Sequence, residues 1–424
     1  MMEKLAQIWK AKDLRQSIIY VLAMLVIFRI VAHIPIPGVN VSELGSFLKD
    51  NQVLGLLNLF SGGGIETFSI VMMSVGPYIT ASIIFQLLGM IVPALEEMNK
   101  EESGRQKINM WTRWLTVPMA MLQSYGMITI LQRTGRGIIT SITPFDMILM
   151  IISITAGTVF VMWLGELISE KKIGNGISLL IFAGIVARIP NTIQSVILSY
   201  DPSKLQMIIG FSLIAIITIV AVVIISEGQR NVPVQYAKQI RGNRMYGGSN
   251  SHLPLRVNMA GVIPIIFAVS VAMFPPLIAQ FFLNAKSAAL VKAATWVVDL
   301  FQNNQLFYGV LYFVLVFAFT FFYTEVVFHP AQIAENLQKQ GGFIPGIRPG
   351  RHTAEYLAYT TYKIMLAGAL FLSLIAILPL ILKYFTGNQS LAIGGTSLLI
   401  VVSVVIETVK QIESQLTMRQ YDGL

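Results

Sequence analysis

Apolar residues run along this chain in long blocks instead of alternating with polar ones. Ten blocks reach the roughly 20 mainly apolar residues that a bilayer-crossing helix needs. They cover 17–34, 72–95, 111–131, 146–168, 177–199, 206–226, 258–281, 305–328, 357–382 and 391–410. The pattern predicts an all-α membrane protein with ten transmembrane helices. Ten divides into five plus five, and because five is odd, two homologous halves (spans 1–5 and 6–10) would lie inverted to one another. No repeat aligns by eye, so this symmetry rests on counting.

Three connections are long. Residues 227–257 carry a β-like run, VPVQYA, followed by basic residues and Gly-Gly, which predicts a hairpin standing out from the membrane. Residues 329–356 contain the punctuated run GGFIPGIRPG. Loops of this length are more often binding surfaces than passive links. The third, from 35 to about 71, holds FSGGGIETFSI at 60–70. Three consecutive glycines make a poor helix, yet Ile65, Phe68 and Ile70 are too apolar for a solvated loop.

Charge then orients the spans. The N-terminus, the even-numbered connections and the C-terminal tail hold 21 of the 30 Lys and Arg. The odd-numbered connections are credited with eight, counting Arg188 although it falls within the fifth block, and Arg29 lies inside the first span, where it either snorkels to an interface or pairs with a neighbour. Positive-inside bias therefore puts both termini in the cytoplasm and accounts for part of the net charge of +9. The expected divisions are a cytoplasmic amphipathic N-terminus (1–16), an N-terminal half (17–200), a C-terminal half (201–412) and a cytoplasmic tail (413–424). The basic start and following apolar run, without a small-residue cleavage site, read as a retained first span.

Composition excludes several chemistries. The chain is 55% hydrophobic and 12% charged, with no Cys and four scattered His at no ligand spacing. Soluble domains carry about a quarter charged residues. No phosphate loop, zinc helix or nucleophile elbow is present. Glu325 and Glu407 lie near span ends, Asp146 and Glu166 at span borders, and no acid–His chain crosses the bilayer. The expectation is a non-enzyme without cofactor, whose energy comes from a partner or a gradient.

Nine runs then carry a resemblance: FRIVAHIPIPGV (28–39), NLFSGGGIETFSI (58–70), GPYITASIIFQLL (76–88), ESGRQKI (102–108), MWLGELI (162–168), GNGISLLIFAGIVARIP (174–190), SHLPLRVNMAGVIP (251–264), PGIRPG (345–350) and GGTSLLIVVSVVIET (394–408). In this order they resemble the SecY family, the central subunit of the bacterial protein-conducting channel. The resemblance implies two pseudo-symmetric halves around an hourglass pore, hinged near spans 5 and 6, in the bacterial plasma (inner) membrane. Polypeptides cross through the pore, while signal sequences and hydrophobic helices leave into the lipid between spans 2–3 and 7–8. SecE and SecG are the implied partner subunits; the SecA ATPase or the ribosome, with ribosomal RNA contact, docks on the cytoplasmic loops.

Carried over motif by motif, the resemblance gives a pore ring of Val75, Ile79, Ile177, Ile181, Ile266 and Ile400. Val75 stands where Ile is common in bacterial members. The pairs four apart share a helix face, and six branched apolar side chains make a constriction that dewets against ions yet yields around any extended chain. The plug is a short half-helix including Phe60, Ser61, Gly62, Gly63, Gly64, Ile65, Glu66, Thr67 and Phe68. Ile65, Phe68 and Ile70 are expected against the ring, and Glu66 and Thr67 toward the watery funnel. Thr80, Gln86, Gln123 and Asn258 are expected to latch the lateral gate by hydrogen bonds. Lys238, Arg241, Arg244 and Arg348 are expected to dock the motor or ribosome. The alternatives from other classes are a secondary transporter of a small solute and a lipid or peptide flippase.

Overall fold

A computed structural model gives the architecture. It describes residues 9, 11–50, 58, 61–133, 138–139, 143–198, 205–236, 239–241, 244–246, 250–283, 286–302, 304–386 and 394–422. Every expected span has a helical counterpart. Helix α1 (Lys12–Val31) is followed by the short α2 (Val41–Asp50), then α3 (Gly76–Ile91), α4 (Pro93–Lys100), α5 (Glu102–Arg133), α6 (Pro144–Glu170), α7 (Gly176–Val186), α8 (Ile189–Leu198) and α9 (Leu205–Glu227). After the β segment come α10 (Ile263–Phe282), α11 (Ala288–Gln302), α12 (Gln305–Val327), α13 (Pro330–Lys339), α14 (Arg351–Thr386) and α15 (Gly394–Asp422). Seven helices among the described residues are long and apolar enough to cross a membrane, or eight when one bent pair counts as a span.

The bent pair corrects the second span, expected to run to 95. Pro93 has no N–H to donate and pushes the preceding residue out of helical conformation. Val92 is accordingly extended (φ −102°, ψ 108°), and α4 leaves α3 at 106°. Helix α4 then packs so closely on the start of α5 that a Cβ on Gly104 would lie 2.0 Å from the Met98 carbonyl oxygen. The fifth span is also broken. Pro190 cannot extend the hydrogen-bond ladder of α7, so the chain turns at Ala187 and Arg188 before α8 begins.

Caps fix the helices that matter most to the centre. Thr143 and Asp146 form a reciprocal capping box at α6, with Asp146 N–H donating to Thr143 Oγ1 at 3.2 Å. Asn175 Oδ1 accepts from the Ile177 and Ser178 N–H groups at 3.1 and 3.3 Å, which starts α7. The outward faces of the bundle are apolar and exposed: Ile209, Leu213, Ile216, Ile217, Val220 and Ile224 on α9 are all exposed. That inverts the soluble pattern and fits contact with lipid.

The predicted hairpin forms, as β1 (Gln229–Tyr236) paired antiparallel with β4 (Asn250–Arg256), Val232 opposite Leu253. It does not stand free. A two-residue strand, β5 (Gly342–Phe343), adds to the other edge of β1. The buried Val232, Val234 and Leu255 share one apolar cluster with Ile344 and Leu357. The connections expected at 227–257 and 329–356 are thus one packed unit. Its tip is the small pair β2 (Gln239–Arg241) and β3 (Arg244–Tyr246).

Helices α1–α8 and α9–α15 meet along two seams. Helix α10 packs against α3 and α5 on one, and α15 packs against α7 on the other.

Candidate functional site

The expected ring residues lie on α3, α7, α10 and α15, the helices that make those seams, with Val75 at the N-cap of α3. Val75, Ile79, Ile181, Ile266 and Ile400 are all buried in a single apolar cluster, and the half-buried Ile177 packs against it. A cavity beside them is lined by Ile65, Met73, Val75, Ile79, Ile181 and Ile266. Ile65 of the triple-glycine segment therefore faces the same cavity as Val75, Ile79, Ile181 and Ile266.

The segment itself differs from expectation. Residues 61–75 are turns interrupted by an isolated bridge of Ser69 to Pro35, not a half-helix; Phe60 lies outside the described residues. Gly62 and Gly63 take φ of 67° and 88°, conformations open to glycine. Gly62 also lies against Gly184 of α7 so closely that a Cβ on Gly184 would sit 2.5 Å from the Gly62 Cα. Phe68 and Ile65 are fully buried, mostly in a second apolar cluster with Leu44, Met127, Ile128 and Ile154. Backbone bonds pin the segment's end beside α1, Ile36 N–H to Phe68 O at 2.9 Å and Ile70 N–H to Ile34 O at 3.1 Å.

Its polar residues do not simply face water. Glu66 forms an ion pair with Arg188, and Asn58 Nδ2 donates to the same carboxylate at 3.2 Å. Thr67 Oγ1 donates to Ala32 O at 3.0 Å. Arg29, inside the first span, donates from Nη1 to Gly62 O at 2.8 Å. Pairing, not snorkelling, is its role. Residue-by-residue reading missed Arg188, which it counted as a loop charge; the Pro190 two positions on marks the helix break that holds it.

The expected gate residues behave differently from one another. Gln123 Nε2 donates to Thr80 Oγ1 at 3.3 Å, joining α5 to α3. Both helices lie on the same side of the seam, so this bond clamps one side and latches nothing across. Gln86 donates within α3 to Ser82 at 3.1 Å, and Asn258 to Gly261 O at 3.3 Å, each leaving its side-chain oxygen buried and without a partner. Apolar contacts cross the seam instead. Tyr125 of α5 stacks on Phe281 of α10 with ring centroids 5.3 Å apart, and Gly126 admits Leu277, whose Cγ would lie 3.1 Å from an added Cβ.

Arg348 is exposed in its Gly- and Pro-bounded loop, where its carbonyl accepts from Thr353 Oγ1 at 2.9 Å. Gly346 and Gly350 flank it at φ of 82° and 91°. Arg241 and Arg244 are cross-strand neighbours at the β2–β3 tip; Lys238 lies outside the described residues.

A multi-pass helical bundle whose two halves meet on one buried apolar cluster, with an irregular segment tucked beside it, has the architecture expected of a membrane channel. The comparisons with known proteins agree. The SecY family model matches residues 69–409. The protein translocase subunit SecY of Corynebacterium glutamicum is 44% identical across all of both chains, and that of Streptomyces coelicolor is 43% identical over all of this chain and 99% of its own. A solved structure described as a protein conducting channel aligns with TM-score 0.60 at 19% identity, over 93% of this chain and 91% of that one. Another, concerned with the plug domain of the SecY protein, aligns at 0.61 with the same identity and coverage. The chain belongs to the SecY family. Membership decides against the small-solute transporter.

Proposed function

We propose that this chain is the pore subunit of a protein translocase, opened by a partner that supplies the energy. The observation that carries the reading is the convergence of Val75, Ile79, Ile181, Ile266 and Ile400 in one buried cluster at the two seams. On this reading Ile177 completes the ring, the segment from Ser61 to Ile70 is its plug, and the seam of α3 and α5 against α10 is the lateral exit. Both termini and the β1–β5 unit face the cytoplasm of a bacterium, across its plasma membrane. SecE braces the two halves and SecG lies at the periphery. Solved structures of this fold described as Sec61 in a ribosome-channel complex and an Ssh1 complex bound to the 80S ribosome support the ribosome as a partner, and the packed loop unit is the docking face for it or for SecA on this reading. Arg348 supplies a guanidinium suited to carboxylates or phosphates.

In proteoliposomes, a precursor protein is expected to become protease-protected only when partner subunits, motor and ATP are all present. Solute uptake by the chain alone, in fixed ratio to an ion, overturns the reading. Arg348→Glu is expected to lower motor-driven transport about tenfold, the cost of losing a charge-assisted contact, while the amount of chain in the membrane stays constant. Unchanged transport removes Arg348 from the docking face.

A further inference from the structure

The plug is gripped by two cations from different elements. Arg29, at the end of α1, donates to the plug backbone at Gly62 O. Arg188, held at the break between α7 and α8, pairs with the Glu66 carboxylate across 122 residues of sequence. The carboxylate is aimed before it meets the guanidinium: Asn58 Oδ1 accepts from Glu66 N–H at 3.1 Å while Asn58 Nδ2 holds Glu66 Oε2. Both partners are partly shielded, their side chains 25% and 38% exposed for Arg188 and Glu66. An ion pair at this depth is worth more than a surface pair, because solvent screens it less. Breaking one partner also leaves the other charge half-dehydrated.

Other polar contacts of the plug tie it to α1 and the chain just after it, through Gly62 O, Thr67, Phe68 O and Ile70 N–H. The plug has no helical ladder over 61–75, and three adjacent glycines raise the entropy it recovers on leaving. Ile65 and Phe68 hold it by burial, which is indifferent to charge and register. The Arg188–Glu66 pair is the directional contact that joins the plug to α7 and α8, helices outside its own connection.

We propose that Arg188 is a positioning residue that latches the closed plug through Glu66, so that the resting channel is sealed in part by an ionic bond sensitive to salt and to charge reversal. This rests on the channel reading above and deepens it.

The test uses the full chain, with its partner subunits, in proteoliposomes whose resting ion efflux is recorded. Glu66→Gln keeps the shape and the Asn58 contacts and removes only the charge. Glu66→Gln and Arg188→Glu, each alone, are expected to raise resting efflux about tenfold. The double exchange Glu66→Arg with Arg188→Glu is expected to return efflux close to that of the unaltered chain. High salt should raise efflux through the unaltered chain and leave Glu66→Gln unchanged. Single variants as tight as the parent, or a double exchange as leaky as the singles, overturn the latch. Deletion of residues 60–70 separates the two failures. A leaky deletion beside silent latch variants overturns the latch alone, and a silent deletion overturns the channel reading with it.

Discussion

Gly184→Val is expected to drive the segment proposed as the plug from its seat and leave the resting membrane leaking almost as freely as deletion of the whole segment. The two chains meet there backbone to backbone. A Cβ on Gly184 would approach the Gly62 Cα to 2.5 Å and the Gly62 nitrogen to 3.1 Å, and a backbone atom has no rotamer with which to retreat. The two branching methyls of Val enlarge the clash. Overpacking of this kind costs about 1–3 kcal/mol, and the plug is the softer partner, since α7 is capped by Asn175 and packed on α6. The strain is therefore relieved by moving the plug. Gly184→Ala should give an intermediate leak. The measurement is ion efflux from proteoliposomes at rest, alongside a thermal melt expected to shift little. A tight Gly184→Val channel would show that the segment is not seated where the structure has it.

Gly176→Ala is expected to damage the fold itself. An added Cβ would lie 1.8 Å from Gly165 O and 2.8 Å from Ser169 Oγ, inside a relay in which Ser169 Oγ donates to Gly165 O and accepts from Gly176 N–H, both at 2.9 Å. Neither α6 nor the first turn of α7 can give way without breaking that relay. A loss of about 3 kcal/mol or more follows from overpacking plus lost hydrogen bonds, read as a lower melting temperature in detergent. Ser169→Ala removes the relay without the clash and should cost only about 1 kcal/mol. Equal melting of Gly176→Ala and the parent would contradict the packing of α7 on α6.

The spans were legible because lipid demands long apolar runs, and the hairpin because VPVQYA alternates. The breaks were less so. Pro93 and Pro190 stand openly in the sequence, but hydropathy windows average across them, so the 106° turn and the split fifth span went unread. For FSGGGIETFSI the glycines point to weak helix, and the structure goes further, to turns from Ser61 onward. Thr80 and Gln123 do meet, yet which side of a seam a hydrogen bond serves depends on helix placement. Arg188 was hidden for the same reason. Its meaning lies in Glu66, far away in the chain, and counting charges loop by loop cannot pair them.

The sharp turn at Val92 has a mechanical consequence. Helices α3 and α5 are joined at one end by α4, pressed against Gly104, and again along their length by Thr80 and Gln123. Two fastenings at different heights make the pair one stiff leaf. Across the facing edge lie apolar contacts: the Tyr125–Phe281 stack, Leu277 against Gly126, and Val75 and Ile79 in one buried cluster with Ile266. If that seam is the lateral exit proposed above, the two fastenings favour movement of α3 and α5 together as one panel, across an edge that holds by apolar contact.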